Sequence, residues 1–202
     1  YCGNADGNST FGHGLDQAPE IFFLKSRDNS ENWRVYYTIA DGSYDFMYLN
    51  TTGAVNHSGY ALPTSTLINK ADDANERMVA YCWHSVPGYS AFGSYIANGS
   101  SDGTFVETGF KPAFVLIKRH TDGANYWEIR DNKRDPHNPM TQRLFPNRID
   151  TTSDGEGFDM ISNGFKIRNN GSGSNYDGKV YIYMAFAERP FVSPFGAQTN
   201  AK

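Results

Sequence analysis

Cysteine is nearly absent from this 202-residue chain: Cys2 and Cys82 are too few for a disulfide framework or a cysteine-based zinc site. Long apolar runs are absent as well. The longest strongly apolar stretch, VYIYMAFA at Val180–Ala187, falls far short of the roughly 20 residues a helix needs to cross a bilayer, which reads as a soluble chain with no membrane span. Neither sign of charge dominates, with 18 Lys and Arg against 22 Asp and Glu and a formal net charge of −4. The basic clusters KRHTDG and RDNKRD are interleaved with acids, which argues against a phosphate-binding surface and hence against a nucleic-acid partner. No leader precedes Tyr1, and there is no initiating Met, which reads as processing or excision from a larger polypeptide.

What the chain does have is aromatic and turn chemistry. Aromatics make up 15% of residues, including 13 Tyr and 14 Phe, and there are 20 Gly. Aromatics suit a pleated, half-buried surface and Gly suits tight turns, so this balance selects β-structure over helix. Short apolar or alternating runs predict strands over 20–25, 33–39, 46–50, 77–83, 91–96, 114–118, 126–130, 142–145, 158–161, 165–168 and 179–186. Turn signals such as DGS, SDG, TDG, SNG and YDG separate them at the spacing of a sandwich or barrel. Cys82 sits in the alternating string MVAYCWH, where it reads as a buried free thiol. The stretch RDNKRDPHNPMTQR is too Pro-broken for more than a single turn.

The chain also repeats itself. PEIFFLKSR at Pro19–Arg27 matches PAFVLIKR at Pro112–Arg119, with Pro19 and Pro112, and Lys25 and Lys118, each 93 apart. HGL at His13–Leu15 parallels TGF at Thr108–Phe110, and NWRVY with Trp33 parallels YWEIR with Trp127. Leu49-Asn50 parallels Leu144–Asn147, VAYCWHSVPGYSAFG resembles MAFAERPFVSPFG, and YCGNADG resembles YIANGSSDG. The expectation is an all-β fold, a large two-sheet concanavalin-like jelly-roll sandwich spanning residues 1–202 and built from two sequence-similar halves, 1–94 and 95–202. The alternative is two small β-sandwich domains with the same bounds.

Catalytic constellations are missing. Sugar-cleaving jelly rolls carry two carboxylates on alternate positions of one strand, typically as Glu-x-Asp-x-x-Glu, and no such string occurs. The carboxylates of EIRD, Glu128 and Asp131, fall on opposite faces of a strand. The histidines, His13, His57, His84, His120 and His137, form no close pair and accompany no Gly-x-Ser-x-Gly elbow, so no metal or nucleophile triad is signalled. No cofactor is signalled either: TTSDGEGFD and RNNGSGSNYDG are rich in calcium-type oxygens, but neither has the spacing of a calcium loop. Asn-x-Ser/Thr sequons at Asn8, Asn50, Asn56, Asn98 and Asn170 matter only in a eukaryotic secretory pathway.

Trp33 and Trp127, repeated at one place in both halves, read as buried structural anchors together with Pro19 and Pro112. A ligand site is expected where the halves diverge. The loops RHTDGANY and FPNRID place Arg119, His120, Asp122, Tyr126, Asn147 and Arg148 as the ligand-binding candidates, a mixture of donors, acceptors and aromatic face that suits a sugar.

Taken together, GLDQAPEIFFLKSRDNSENWRVY, AYCWHSVPGYSAFGSYIANGSSDGTFVETGFKPAFVLIKR, YWEIRDNKRD, SNGFKIR and YIYMAFAERPF make the chain resemble the duplicated concanavalin-like domain of tail-fibre and other structural proteins of marine tailed bacteriophages. That resemblance spans essentially the whole chain. It implies a non-enzymatic virion structural module on a tail fibre or head surface, extracellular, oligomeric within the virion, and contacting other virion proteins and a host-surface glycan or receptor. Two alternatives stand beside it: a purely architectural capsid-decoration or assembly protein, and a glycan depolymerase with paired carboxylates in a cleft.

Overall fold

A computed structural model of the chain describes residues 8–71, 76–123, 125–149 and 155–190. Cys2, Asp150, the opening YCGNADG and the closing Phe195-Gly196 pair lie outside the described residues. Regular structure among the described residues is β-strand throughout, and none of it is a helix able to cross a membrane. The fourteen strands pair in four antiparallel sheets. Two compact units divide the chain, Tyr1–His84 and Ser85–Lys202.

In the first unit, β1 (Asn8–Gly12) pairs with β6 (Leu67–Ala71) as a two-stranded ribbon. The other strands are β2 (Ile21–Ser26), β3 (Arg34–Tyr37), β4 (Asp45–Tyr48), β5 (Asn56–His57) and β7 (Met78–Trp83), and they order as β5-β4-β3-β2-β7. Alternation along β2 sends Phe22 and Leu24 to one face, where they meet Tyr36, Tyr44 and Met78 from the same sheet region and Phe11 and Ile68 from the ribbon. Those residues form one core between ribbon and sheet. Cys82 packs at its margin, and burial pushes its thiol up to about 11, so it is an inert apolar filler rather than a nucleophile.

In the second unit, β8 (Ser90–Ile96), β10 (Pro112–Arg119), β11 (Glu128–Asp131) and β14 (Val180–Ala187) order as β11-β10-β14-β8. A second sheet, β12-β13-β9, is formed by β9 (Phe105–Glu107), β12 (Gly157–Ile161) and β13 (Gly164–Arg168). Val115, Ile117, Tyr181, Tyr183 and Ala185 from the first sheet bury against Val106, Phe158, Met160, Phe165 and Ile167 from the second. This is sandwich packing: two inner faces share one core.

The two units use the same three-stranded ladder. Phe22 faces Tyr36 on β3 and Cys82 on β7, while Val115, 93 positions later, faces Arg130 on β11 and Ala185 on β14. Leu24 faces Arg34 and Ala80; Ile117 faces Glu128 and Tyr183. Each loop after the central hairpin returns an asparagine to the tryptophan: Trp33 N–H donates to Asn50 Oδ1 at 3.0 Å, and Trp127 N–H donates to Asn147 Oδ1 at 3.1 Å. Gly14 and Gly109, in the matched HGL and TGF turns, both take positive φ, 74° and 79°. Through the ladder, Trp83 corresponds to Phe186 and Val79 to Ile182, an offset of 103.

Candidate functional site

The loop residues expected to bind a ligand gather in two clusters of the second unit. Arg119 Nε lies 3.0 Å from Asp122 Oδ1, its guanidinium donates to Gly123 O at 3.2 Å and sits 5.6 Å over the Tyr176 ring. Asp122 holds positive φ at 53° and receives Lys179 Nζ at 2.8 Å, a hydrogen bond that lowers its carboxyl pKa. In the other cluster the Arg148 guanidinium lies 4.6 Å over Tyr126 and 4.8 Å over Phe145, and Asn147 is committed to the Trp127 N–H. His120 is buried. Most of these polar groups are used in holding their own loops, which leaves little of them to read a ligand.

Two carboxylates do come together, the buried Glu128 and the part-exposed Glu156. Glu128 and Glu156 share Arg143 Nη1 at 3.1 and 2.9 Å, and Arg130, fully buried, lies 3.4 Å from Glu128. Burial raises the Glu128 pKa and lowers that of Arg130, each opposed by the partner's charge. Gly171 and Gly173 lie so close to this network that a Cβ on Gly171 would collide with Glu156, and one on Gly173 with Glu128. This is an ion network anchored on the buried Glu128 and Arg130 and reaching the part-exposed Arg143 and Glu156, packed against a glycine-rich loop.

The open surface with recognisable chemistry is in the first unit, on the face of its five-stranded sheet opposite the core. Phe23 on β2 and Tyr81 and Trp83 on β7 point to that face, and Trp33, one residue before β3, reaches it across β2. Trp33 and Tyr81 lie 6.4 Å apart at 25°, and Tyr81 and Trp83 lie 6.2 Å apart at 16°, so the three rings share nearly one orientation. Phe23 meets Trp83 edge-on at 5.1 Å. Tyr81 is 47% exposed, and Phe23, Trp33 and Trp83 are half-buried. Farther along the same face Ile21, Val35 and Tyr37 are buried, while Val79 and Lys25 beside the row are half-buried. Lys25, beyond Phe23 on β2, is held by Ser26 O at 2.8 Å and Asn29 O at 3.0 Å.

Trp33 and Trp127 therefore differ despite their repeated position. Trp127 is 1% exposed, and its ladder neighbours Leu116 and Met184 are buried where the first unit has Phe23 and Tyr81. Pro19 and Pro112 are both buried. Sequence reasoning passed over Tyr81 and Trp83, although their i, i+2 spacing in AYCWH already puts both rings on one face of a strand.

No curated protein and no solved structure matches the chain. Residues 1–190 match the model of DUF7483, a domain of unknown function, and the chain belongs to that family.

Proposed function

We propose that this chain is a carbohydrate-recognition module of a virion surface, a jelly roll grown by duplication of one β unit, and that it binds host glycan through Trp33, Tyr81 and Trp83. The observation that carries the reading is the half-exposed row of three similarly oriented rings. A pyranose has one face of C–H groups, apolar and slightly electropositive, which complements the electron-rich face of an aromatic ring. A row of such rings takes successive sugars without a deep pocket. The coincident ladders of the two units support the duplication, and the family resemblance of the sequence supports the virion setting. The reading is of binding without turnover: the paired carboxylates Glu128 and Glu156 are both tied to Arg143.

A glycan array on the whole chain, followed by titration of the best ligand against Tyr81→Ala and Trp33→Ala, tests this. Both variants are expected to keep the fold and to lose affinity roughly tenfold or more, the loss of one stacked ring. An array without binders, or variants that bind as well as the parent, would leave the row as a contact surface for other virion proteins.

A further inference from the structure

The second unit has a pocket of about 370 Å³ that the aromatic row does not involve. Three turns and the start of the segment after β14 converge on it: Gly88 before β8, Gly109–Lys111 before β10, Ser162 between β12 and β13, and Glu188–Arg189. Phe110, buried, supplies an apolar surface, and Ser162, exposed, offers a hydroxyl. Gly88 and Gly109 both hold left-handed φ, 74° and 79°, and a Cβ on either would meet nothing within 4 Å. The left-handed backbone at both positions favours glycine, because other residues are strained there.

The charges are not balanced. Glu188 is neutralised by Lys111 Nζ at 3.0 Å and accepts a hydrogen bond from Asn132 Nδ2 at 2.8 Å, and its own N–H donates to Lys111 O at 2.9 Å. Arg189, exposed at the same rim, has no ion-pair partner among the described residues. The pocket therefore presents one surplus guanidinium above an apolar wall. A guanidinium prefers a planar anion it can hold with two parallel hydrogen bonds, which is a carboxylate. The volume is at the lower end of small-ligand pockets and suits one or two sugar rings.

We propose that this pocket is a second binding site, for a carboxylate-bearing pyranose of the uronic-acid class, with Arg189 holding the carboxylate, Phe110 under the ring face and Ser162 at a ring hydroxyl. It is independent of the aromatic row. The test is an NMR titration of the whole chain with glucuronate, glucose and inorganic phosphate. Glucuronate is expected to shift the amides of Phe110, Ser162 and Arg189, with glucose binding at least about tenfold more weakly for lack of the charged hydrogen bonds. Arg189→Gln, a surface change with little risk to folding, should abolish the glucuronate shifts, and Arg189→Lys should keep part of them. Ser162→Trp should block the pocket sterically, and Trp33→Ala should leave glucuronate binding unchanged. The proposal is overturned if glucuronate does not bind, if glucose binds equally well, if Arg189→Gln binds as the parent does, or if phosphate competes at equal affinity, which would mark a plain anion contact.

Discussion

At the scale of single residues, the two tryptophans illustrate what a repeat in sequence does and does not carry. Their common position was legible, and so was the hairpin each one begins, but burial depends on the neighbours across the ladder, Tyr81 for one and Met184 for the other. Trp127→Ala is expected to cost about 3–5 kcal/mol, the range for emptying a core aromatic site. Trp33→Ala should cost clearly less, because Trp33 is only partly buried. Denaturant unfolding of the pair decides the matter, and equal losses would show the row to be core. Lys118 gives a second contrast. It is 1% exposed, its ammonium donates to Asn125 O, and burial pulls its pKa down to about 8, whereas its counterpart Lys25 is half-buried. The unfolded chain holds the Lys118 proton up to about pH 10.4, so between about 8 and 10 the unfolded state binds more protons and this residue makes stability rise with pH. Cys82 acts oppositely over part of that window, since its thiol is raised to about 11 in the fold and ionises earlier when unfolded. The difference between parent and Lys118→Met cancels the thiol. It should show the parent gaining stability relative to the variant from about pH 8 to 9.5, below the range where tyrosines ionise in the unfolded chain. A flat difference would place the Lys118 head in water.

At the scale of elements, alternation and turn chemistry made the long strands legible, because β2, β10 and β14 bury one face or both and their apolar runs have little else to be. The strands that escaped, β1 as NSTFG, β5 as NH, β6 as LINKA and β9 as FVE, are short. Where such a strand sits inside, it contributes one or two core side chains, Phe11, Ile68 or Val106, too few to print a period on the sequence. The strand expected over 142–145 reduces to a bridge between Leu144 and Ile129. A loop asparagine looks the same in sequence whether it reads a sugar or caps a neighbouring N–H, and Asn147 accepts the Trp127 N–H as Asn50 accepts that of Trp33. The loop over 169–175 was read as turn composition, and its glycines turn out to be a packing requirement. Gly173→Ala would drive a methyl into Glu128 and to 2.7 Å from Glu156 Oε2, displacing two carboxylates from Arg143. Breaking a buried charge network in this way costs about 3–5 kcal/mol. Gly12→Ala, with 3.7 Å to the Thr66 carbonyl oxygen, should instead lie within about 1 kcal/mol of the parent. Calorimetry on both variants compares them directly, and a Gly173→Ala protein as stable as Gly12→Ala would mean that the loop does not seal the network.

At the scale of the whole molecule, the proposed glycan recognition raises the question of how many equivalent sites two units with a shared ladder provide. Two units with one ladder register offer two copies of each ladder position, and a duplicated lectin is commonly expected to be bivalent. The side chains at those positions argue otherwise. Phe23, Tyr81 and Trp83 have Leu116, Met184 and Phe186 as counterparts, and the Leu116, Met184 and Trp127 side chains are 4%, 4% and 1% exposed. The first unit carries a partly exposed aromatic row at the ladder positions where the second unit buries Leu116, Met184 and Trp127, so the glycan surface proposed for that row has no counterpart in the second unit. A neutral glycan that binds the row should therefore saturate at one per chain. Isothermal titration of the whole chain measures this, and Tyr81→Ala should remove the entire heat rather than half of it. A stoichiometry of two with equal affinities, or a Tyr81→Ala protein retaining half its sites, would require the second unit to bind through other residues, and the recognition surface would then have to be sought outside the ladder that the two units share.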